Sequence, residues 1–305
     1  MPGERSIDVH PLRPGEETLW LSVASAPGEI AVRRPSFTDL VGGEEHRDRR
    51  CHLIAVDEGR AAGRLTGTFL NPRLYFIQEI LSNEPDVFGD VAEAFGSHLA
   101  RSFGPERVEI LSWERDDLAE MNQALLRSGF RVGRRKVFVE RDLSGVEAPD
   151  AGPFTYISLA QTGEPRFVEI MSRAAEGDPF EDVAARDPMT DFRELVEYAG
   201  EMFDPTWWKV ARRNGRTVGV VLPQRFPGPR NEGTLFYMGI VPERRNEGLG
   251  RALHRAGLAF LAQAGVERYI GSTDDRNVPM LRIFDANDCV RKGIQLFLTA
   301  GGGNV

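Results

Sequence analysis

Between Val241 and His254 the chain reads VPERRNEGLGRALH. Two glycines, Gly248 and Gly250, stand beside arginines where an apolar run begins: Leu249, Leu253, Ala256, Phe260, Leu261 and Ala264 recur at helical spacing. Glycine disfavours a helix by about 1 kcal/mol against alanine, so an offsetting role is expected. The first turn of a helix has unpaired N–H groups and the positive end of the helix dipole. Glycine there lets an anion approach the main chain closely. The expected ligand is a phosphate, held by main-chain donors of Asn246, Glu247, Gly248, Leu249, Gly250 and Arg251, with Arg245 and Arg251 adding charge. A dinucleotide loop would need a third glycine where Leu253 stands, and a Walker loop would need Gly-Lys-Ser/Thr; neither is present.

Such a loop must be positioned by the elements around it. Upstream, Thr234–Val241 is a β-branched and aromatic run that reads as a buried strand, ended by Pro242. The wider chain reads as two passes through one order. IDVHPLRPGEETLWLSVA opens the first half as strand, break and helix; FTYISLAQTGEPRFVEIMSRA opens the second in the same way. Each pass continues with a hairpin, turning at Asp57-Glu58-Gly59 in one and at Asn214-Gly215 in the other. A further strand, a helix, a strand, a helix and a last strand follow in both. The distance from hairpin turn to late helix end is also similar, Gly59 to Gly129 against Gly215 to Asp288. The reading is two α/β (α+β) domains, 1–145 and 146–305, joined by the linker Ser144–Pro153.

Composition bounds the rest. A chain of 305 residues accommodates two domains of roughly 100–200 residues. Its net charge of −8 argues against a nucleic-acid surface, which needs clustered Lys and Arg. No apolar run of about 18 residues is present, so no membrane span is expected, and the N-terminus lacks the basic-then-apolar pattern of a signal peptide; a cytoplasmic monomer or homodimer is expected. Cys51 and Cys289 lie in different halves without metal-ligand spacing, so buried free thiols and no metal are expected.

With GIVPERRNEGLG as an acyl-CoA motif, a long amphipathic helix, a strand and a helix opening at Asn277, residues about 154–299 resemble the GNAT acyltransferase superfamily. Residues about 7–143 resemble it more weakly, through LLRSGF at Leu125–Phe130. The resemblance implies two tandem domains, each with a mixed, mostly antiparallel central sheet flanked by helices. It implies acetyl-CoA as co-substrate, held by the glycine loop, with the pantetheine arm along Met238, Gly239 and Ile240, and direct acyl transfer to an amine in a ternary complex. In the first half the equivalent loop, LSNEPDVFGDVAEAF, lacks Gly-x-Gly and carries Glu84, Asp86 and Asp90, which would repel a pyrophosphate. That half reads as a degenerate copy that packs and shapes the cleft.

Acyl transfer needs a neutral amine, a donor to the oxyanion and a proton for the leaving thiolate. The main chain near Ile240 is the expected oxyanion donor. The superfamily's acid is often a tyrosine seven residues after the helix asparagine; here that position is Phe284, which cannot donate and would pack on the pantetheine arm. Candidate bases are Glu232, which by simple alternation shares a face with Thr234, Met238 and Ile240, and Asp274 and Asp275, which could equally cap the following helix. Tyr237 and His254 read as packing residues. The acidic segment Ala174–Phe192, with Glu176, Asp178, Glu181, Asp182 and Asp187, reads as a lid that attracts a cationic amine or as a solvated face. The expected partner is a small-molecule amine. The alternatives are a protein amine, or a non-catalytic acyl-CoA sensor or scaffold.

Overall fold

A computed structural model describes residues 6–23, 48–145, 153–180, 187–228 and 231–300. Most of the 144–153 linker, Glu181, Asp182 and the tail GGGNV lie outside the described residues. By packing, the chain forms two compact units: Met1–Arg135 with Ile294–Val305, and Lys136–Gly293. The polypeptide therefore passes between units twice, once inside each of two strands.

The first unit contains β1 (Asp8–Pro11), α1 (Glu17–Leu21), β2 (His52–Asp57), β3 (Arg60–Asn71), β4 (Leu74–Ser82), α2 (Phe88–Glu106), β5 (Glu109–Trp113) and α3 (Ala119–Arg127). The β2–β3 hairpin turns through Glu58 and Gly59, both at positive φ, the geometry that matches the twist of paired strands. Among the described residues of this unit, β4 and β5 are the pair that runs parallel, from Leu74 opposite Glu109 to Phe76 opposite Leu111. In α2 a four-residue spacing of Val91, Phe95, Leu99 and Phe103 gives one apolar stripe, all buried on the sheet. The strand beyond β5 is not from this half of the sequence. It is the end of β12 (Val290–Ala300), antiparallel to β5, with Leu298 buried in the same core.

The second unit repeats the order. Its elements are β7 (Thr155–Ser158), α4 (Leu159–Thr162), α5 (Glu164–Ala175), α6 (Pro188–Ala199), β8 (Lys209–Arg213), β9 (Arg216–Arg225), β10 (Glu232–Ile240), α7 (Leu249–Gln263), β11 (Arg268–Asp274) and α8 (Val278–Ala286). The β8–β9 hairpin turns through Asn214 and Gly215, again at positive φ. Beyond β11 lies the end of β6 (Phe130–Asp142), antiparallel from Arg268 opposite Asp142 to Asp274 opposite Lys136. Each unit is thus completed by a strand encoded in the other half of the chain.

Both faces of the second sheet are covered. Val220, Leu222 and Trp208 pack under Phe167, Val168 and Met171 of α5 and Phe192 of α6. Val218, Val221, Leu235, Met238 and Ile240 pack under Leu249 and Leu253 of α7. The segment Ala174–Phe192, read as an acidic lid or a solvated face, runs into the start of α6. Asp187 is its N-cap, accepting from the Thr190 N–H at 3.0 Å, and Pro188 holds the first helical position.

Candidate active site

The site is built around a strand pair that opens. β10 and β11 run parallel and pair only at Glu232 with Arg268 and Gly233 with Tyr269. Beyond Gly233 β10 remains paired with β9, but the register shifts: Leu235 faces Pro223, whereas Met238 faces Val221. Two residues, Phe236 and Tyr237, occupy the interval that Leu222 spans on the neighbouring strand, which is a β-bulge. A bulge frees main chain from regular pairing and turns the strand. The uncovered backbone toward Ile240 is therefore presented beside β11 instead of being consumed by it.

The bulge also reverses side-chain parity. Leu235 and Met238 lie on the α7 face, and Phe236 and Tyr237 together join the cluster under α5 and α6. Glu232 and Thr234 consequently do not share a face with Met238 and Ile240, correcting the alternation expected from sequence. The Glu232 carboxylate forms an ion pair with Arg268 at the closed end of the strand pair.

At the other end, β10 leads through Pro242–Arg244 into α7. Asn246 and Gly248 both have positive φ, 64° and 72°, which aims the loop into the helix. Gly248 is the N-cap and brings no side chain to the first turn. The donors expected to hold a phosphate therefore have no side-chain competitor from the cap. Glu247 is exposed and drawn toward Arg244 at 3.3 Å and Arg213 at 3.9 Å. Arg251 is exposed in the first turn. Gly250 has a packing role as well: a Cβ there would stand 2.9 Å from the Ile283 Cδ1 of α8.

Arg245 is placed differently from the phosphate-facing role expected of it. Its Nε donates to the Ile240 carbonyl at 3.0 Å, and its Nη2 donates to the carbonyls of Ala174 at 3.0 Å and Glu176 at 2.7 Å. The guanidinium fork ties the end of β10 to the end of α5. Across the opening, Arg276 binds Asp274 through two bonds of 2.9 and 3.1 Å and lies over the Phe180 ring. The segment from Ala174 to Phe180 thus touches both strand ends. The Asp274 carboxyl is held below its ordinary range, first by the Arg276 hydrogen bond, and this makes it a weaker proton acceptor. Asp275 follows it, half-buried. The Asn277 side chain caps α8, accepting from the Met280 N–H at 3.1 Å.

Phe284 is 1% exposed, with its ring edge-on to His254. His254 is fully buried. It receives a hydrogen bond at Nδ1 from the Asn287 amide at 3.1 Å, and Nε2 lies 3.3 Å from the Tyr269 hydroxyl. With Nδ1 accepting, Nε2 carries the proton and donates to Tyr269. Burial pushes the imidazole down to about 3, with Arg141 adding to the effect. Asn287 also donates to the Arg251 carbonyl at 3.1 Å, so this network fixes the first turn of α7. No local sequence signal marked it, because its partners come from three separate elements.

In the first unit the counterpart helix α2 begins after Pro85–Val87 with Asp90 in its first turn. The Glu120 carboxylate approaches the same turn, 3.2 Å from where a Gly89 Cβ would stand. Its strand β4 is also bulged, since Thr66 faces Glu79 while Gly67 faces Ile77. The scaffold is repeated, but with carboxylates at the helix entrance.

Residues 169–286 match the model of the acetyltransferase (GNAT) family. Over 294 residues the chain is 26% identical to the mycothiol acetyltransferase of Amycolatopsis mediterranei, covering 87% of this chain and 88% of that one. In fold it is similar to a GCN5-related N-acetyltransferase from Sphaerobacter thermophilus, with a TM-score of 0.56, 16% identity and 98% of each chain covered. It is also similar to a tandem GNAT protein from the clavulanic acid biosynthesis pathway, with a TM-score of 0.54, 15% identity and 98% and 100% covered. The match to the acetyltransferase (GNAT) family thus lies in the second unit, and in fold the chain is similar to GNAT proteins, one of them a tandem GNAT protein.

Proposed function

We propose that the second unit binds acetyl-CoA and transfers its acetyl group to the amine of a small molecule by direct attack in a ternary complex. The observation that carries this reading is the opening of β10 from β11 beyond Gly233, which leads directly to the uncapped first turn of α7. The pantetheine arm would lie along Met238–Ile240, where its amides can pair with strand backbone. The pyrophosphate would sit on the N–H groups of Asn246–Arg251, with charge from Arg251. The relatives named mycothiol acetyltransferase support a small-molecule acceptor. The first unit, with its acidic helix entrance, serves as a scaffold and binds no acyl-CoA.

Calorimetry with acetyl-CoA on the wild type and on Arg251→Glu tests the reading, followed by thiol release with an amine panel. Arg251 is exposed, so the substitution leaves packing intact and places a carboxylate where the pyrophosphate would lie. Binding by wild type and at least tenfold weaker binding by the variant are expected. Absence of binding by wild type would overturn the proposal, and binding without thiol release for any amine would favour a sensor.

A further inference from the structure

We propose that Asn287 is a positioning residue for the acyl-CoA pyrophosphate, holding the first turn of α7 in place from inside the second unit; this rests on the acyltransfer reading above. The need for such a residue follows from how α7 begins. A helix start is ordinarily held by a capping side chain that accepts from its first N–H groups. Here the N-cap is Gly248, and no side chain caps the turn. Glu247 and Arg251, on either side, are exposed. The turn keeps its N–H groups for an anion, but an uncapped helix end frays. Tight binding needs those donors to converge beforehand.

The Asn287 amide supplies the hold. Its main-chain N–H closes α8, donating to the carbonyls of Ile283 and Phe284 at 3.1 Å each. Its side chain turns inward and is buried. One amide hydrogen goes to the Arg251 carbonyl at 3.1 Å, the other to the His254 Nδ1 at 3.1 Å. Arg251 and His254 are neighbours along one face of α7, about a turn apart. Both donors of the amide are thus spent on the entry of one helix. A carbonyl has two lone pairs, so Arg251 can accept this bond and still serve the α7 ladder.

The amide is itself fixed. Arg141 of β6 donates through Nη1 to the Asn287 carbonyl at 2.6 Å. On the far side of the imidazole, Nε2 meets the Tyr269 hydroxyl of β11 at 3.3 Å. So β6, β11 and α8 converge on the entry of α7. Gly250 lets α8 come this near, since a Cβ there would meet the Ile283 Cδ1 at 2.9 Å. Polar groups buried this deeply are costly unless paired. An apolar trio would avoid that cost, but it could not grip the Arg251 carbonyl.

Asn287→Leu removes both donors and keeps a side chain of similar size. The acetyl-CoA Kd from calorimetry should rise about tenfold or more. The KM for acetyl-CoA should rise with it, while kcat at saturating acetyl-CoA stays within about threefold of wild type. Leu258→Ala, a buried truncation further along α7, is the control for lost stability. It should lower the melting temperature and leave Kd within about twofold of wild type. Where Asn287→Leu does not fold, Asn287→Asp takes its place at mildly alkaline pH, since a carboxylate has the same size and donates to neither partner. An unchanged Kd in the Asn287 variant would overturn the proposal, as would an equal loss of affinity in Leu258→Ala or a fall in kcat with Kd intact. Failure of wild type itself to bind acetyl-CoA would instead defeat the acyltransfer reading, so the two failures are distinguishable.

Discussion

The Nε of Arg245 donates to the carbonyl of Ile240, five residues back, while Nη2 of the same side chain reaches two carbonyls at the end of α5. One fork holds the end of β10 to the end of α5. Charge-assisted bonds of this kind contribute about 1.5–3 kcal/mol each, and a lysine cannot reproduce the fork. Arg245→Ala and Arg245→Lys should both lower unfolding free energy, by about 2–4 kcal/mol for alanine, in urea titrations. A variant that keeps full stability and loses only acetyl-CoA affinity would return Arg245 to the phosphate.

Gly219 stands on β9 opposite Ile240, and a Cβ there would lie 2.0 Å from the Gly239 carbonyl oxygen. Backbone cannot swing aside as a side chain can. Gly219→Ala should push the Gly239–Ile240 main chain out of place. Misplacement near 1 Å in a reacting geometry costs about 10² in rate, so steady-state kinetics should show a loss of that order in kcat/KM. An unchanged kcat/KM would mean that this main chain does not hold the thioester.

The buried His254 makes stability depend on pH. Above its ordinary value of 6.5 neither the folded nor the unfolded chain holds the proton. As pH falls from 6.5 toward 3, only the unfolded chain takes it up, so folding weakens, in total by on the order of 4 kcal/mol. His254→Gln can still accept from Asn287 and has nothing to protonate. Denaturation curves from pH 7 to 4 should show a shallower acid slope for the variant. Equal slopes would refute the linkage.

Leu298 and Ile110 face each other across β12 and β5, both fully buried. Leu298→Ala should destabilise the first unit by about 2–5 kcal/mol. Hydrogen exchange should locate the loss in β5 and α2, although the substitution is far away in sequence. Loss confined to residues of the second unit would contradict the exchanged arrangement.

The parts of this fold that were legible in the sequence are those whose cause is local. The Asn214-Gly215 turn, the Pro242 stop and the Gly248 entry to α7 each act within a few residues. The bulge was not legible, because TLFYMGIV is apolar at almost every position and reads alike in either parity. Asp187-Pro188 did carry a helix-start signal, which the surrounding acidity obscured. Alternation and strand-end position mark Glu232, Asp274 and Asp275 as candidate bases, and neither feature reveals an arginine partner such as Arg268. The exchange of β6 and β12 left no trace in the sequence, since strand pattern records which face is buried and not which neighbour is paired.

That exchange sets an order of completion during synthesis. A chain made from its N-terminus usually finishes its first domain first. Here the seven residues Lys136–Asp142 leave the ribosome early and wait for the second unit, which has all its parts once Gly293 is made. The first unit, begun earliest, lacks its edge until Ile294–Ala300 emerges. Until then β5 is an open template, and the half without the glycine loop is the last to close.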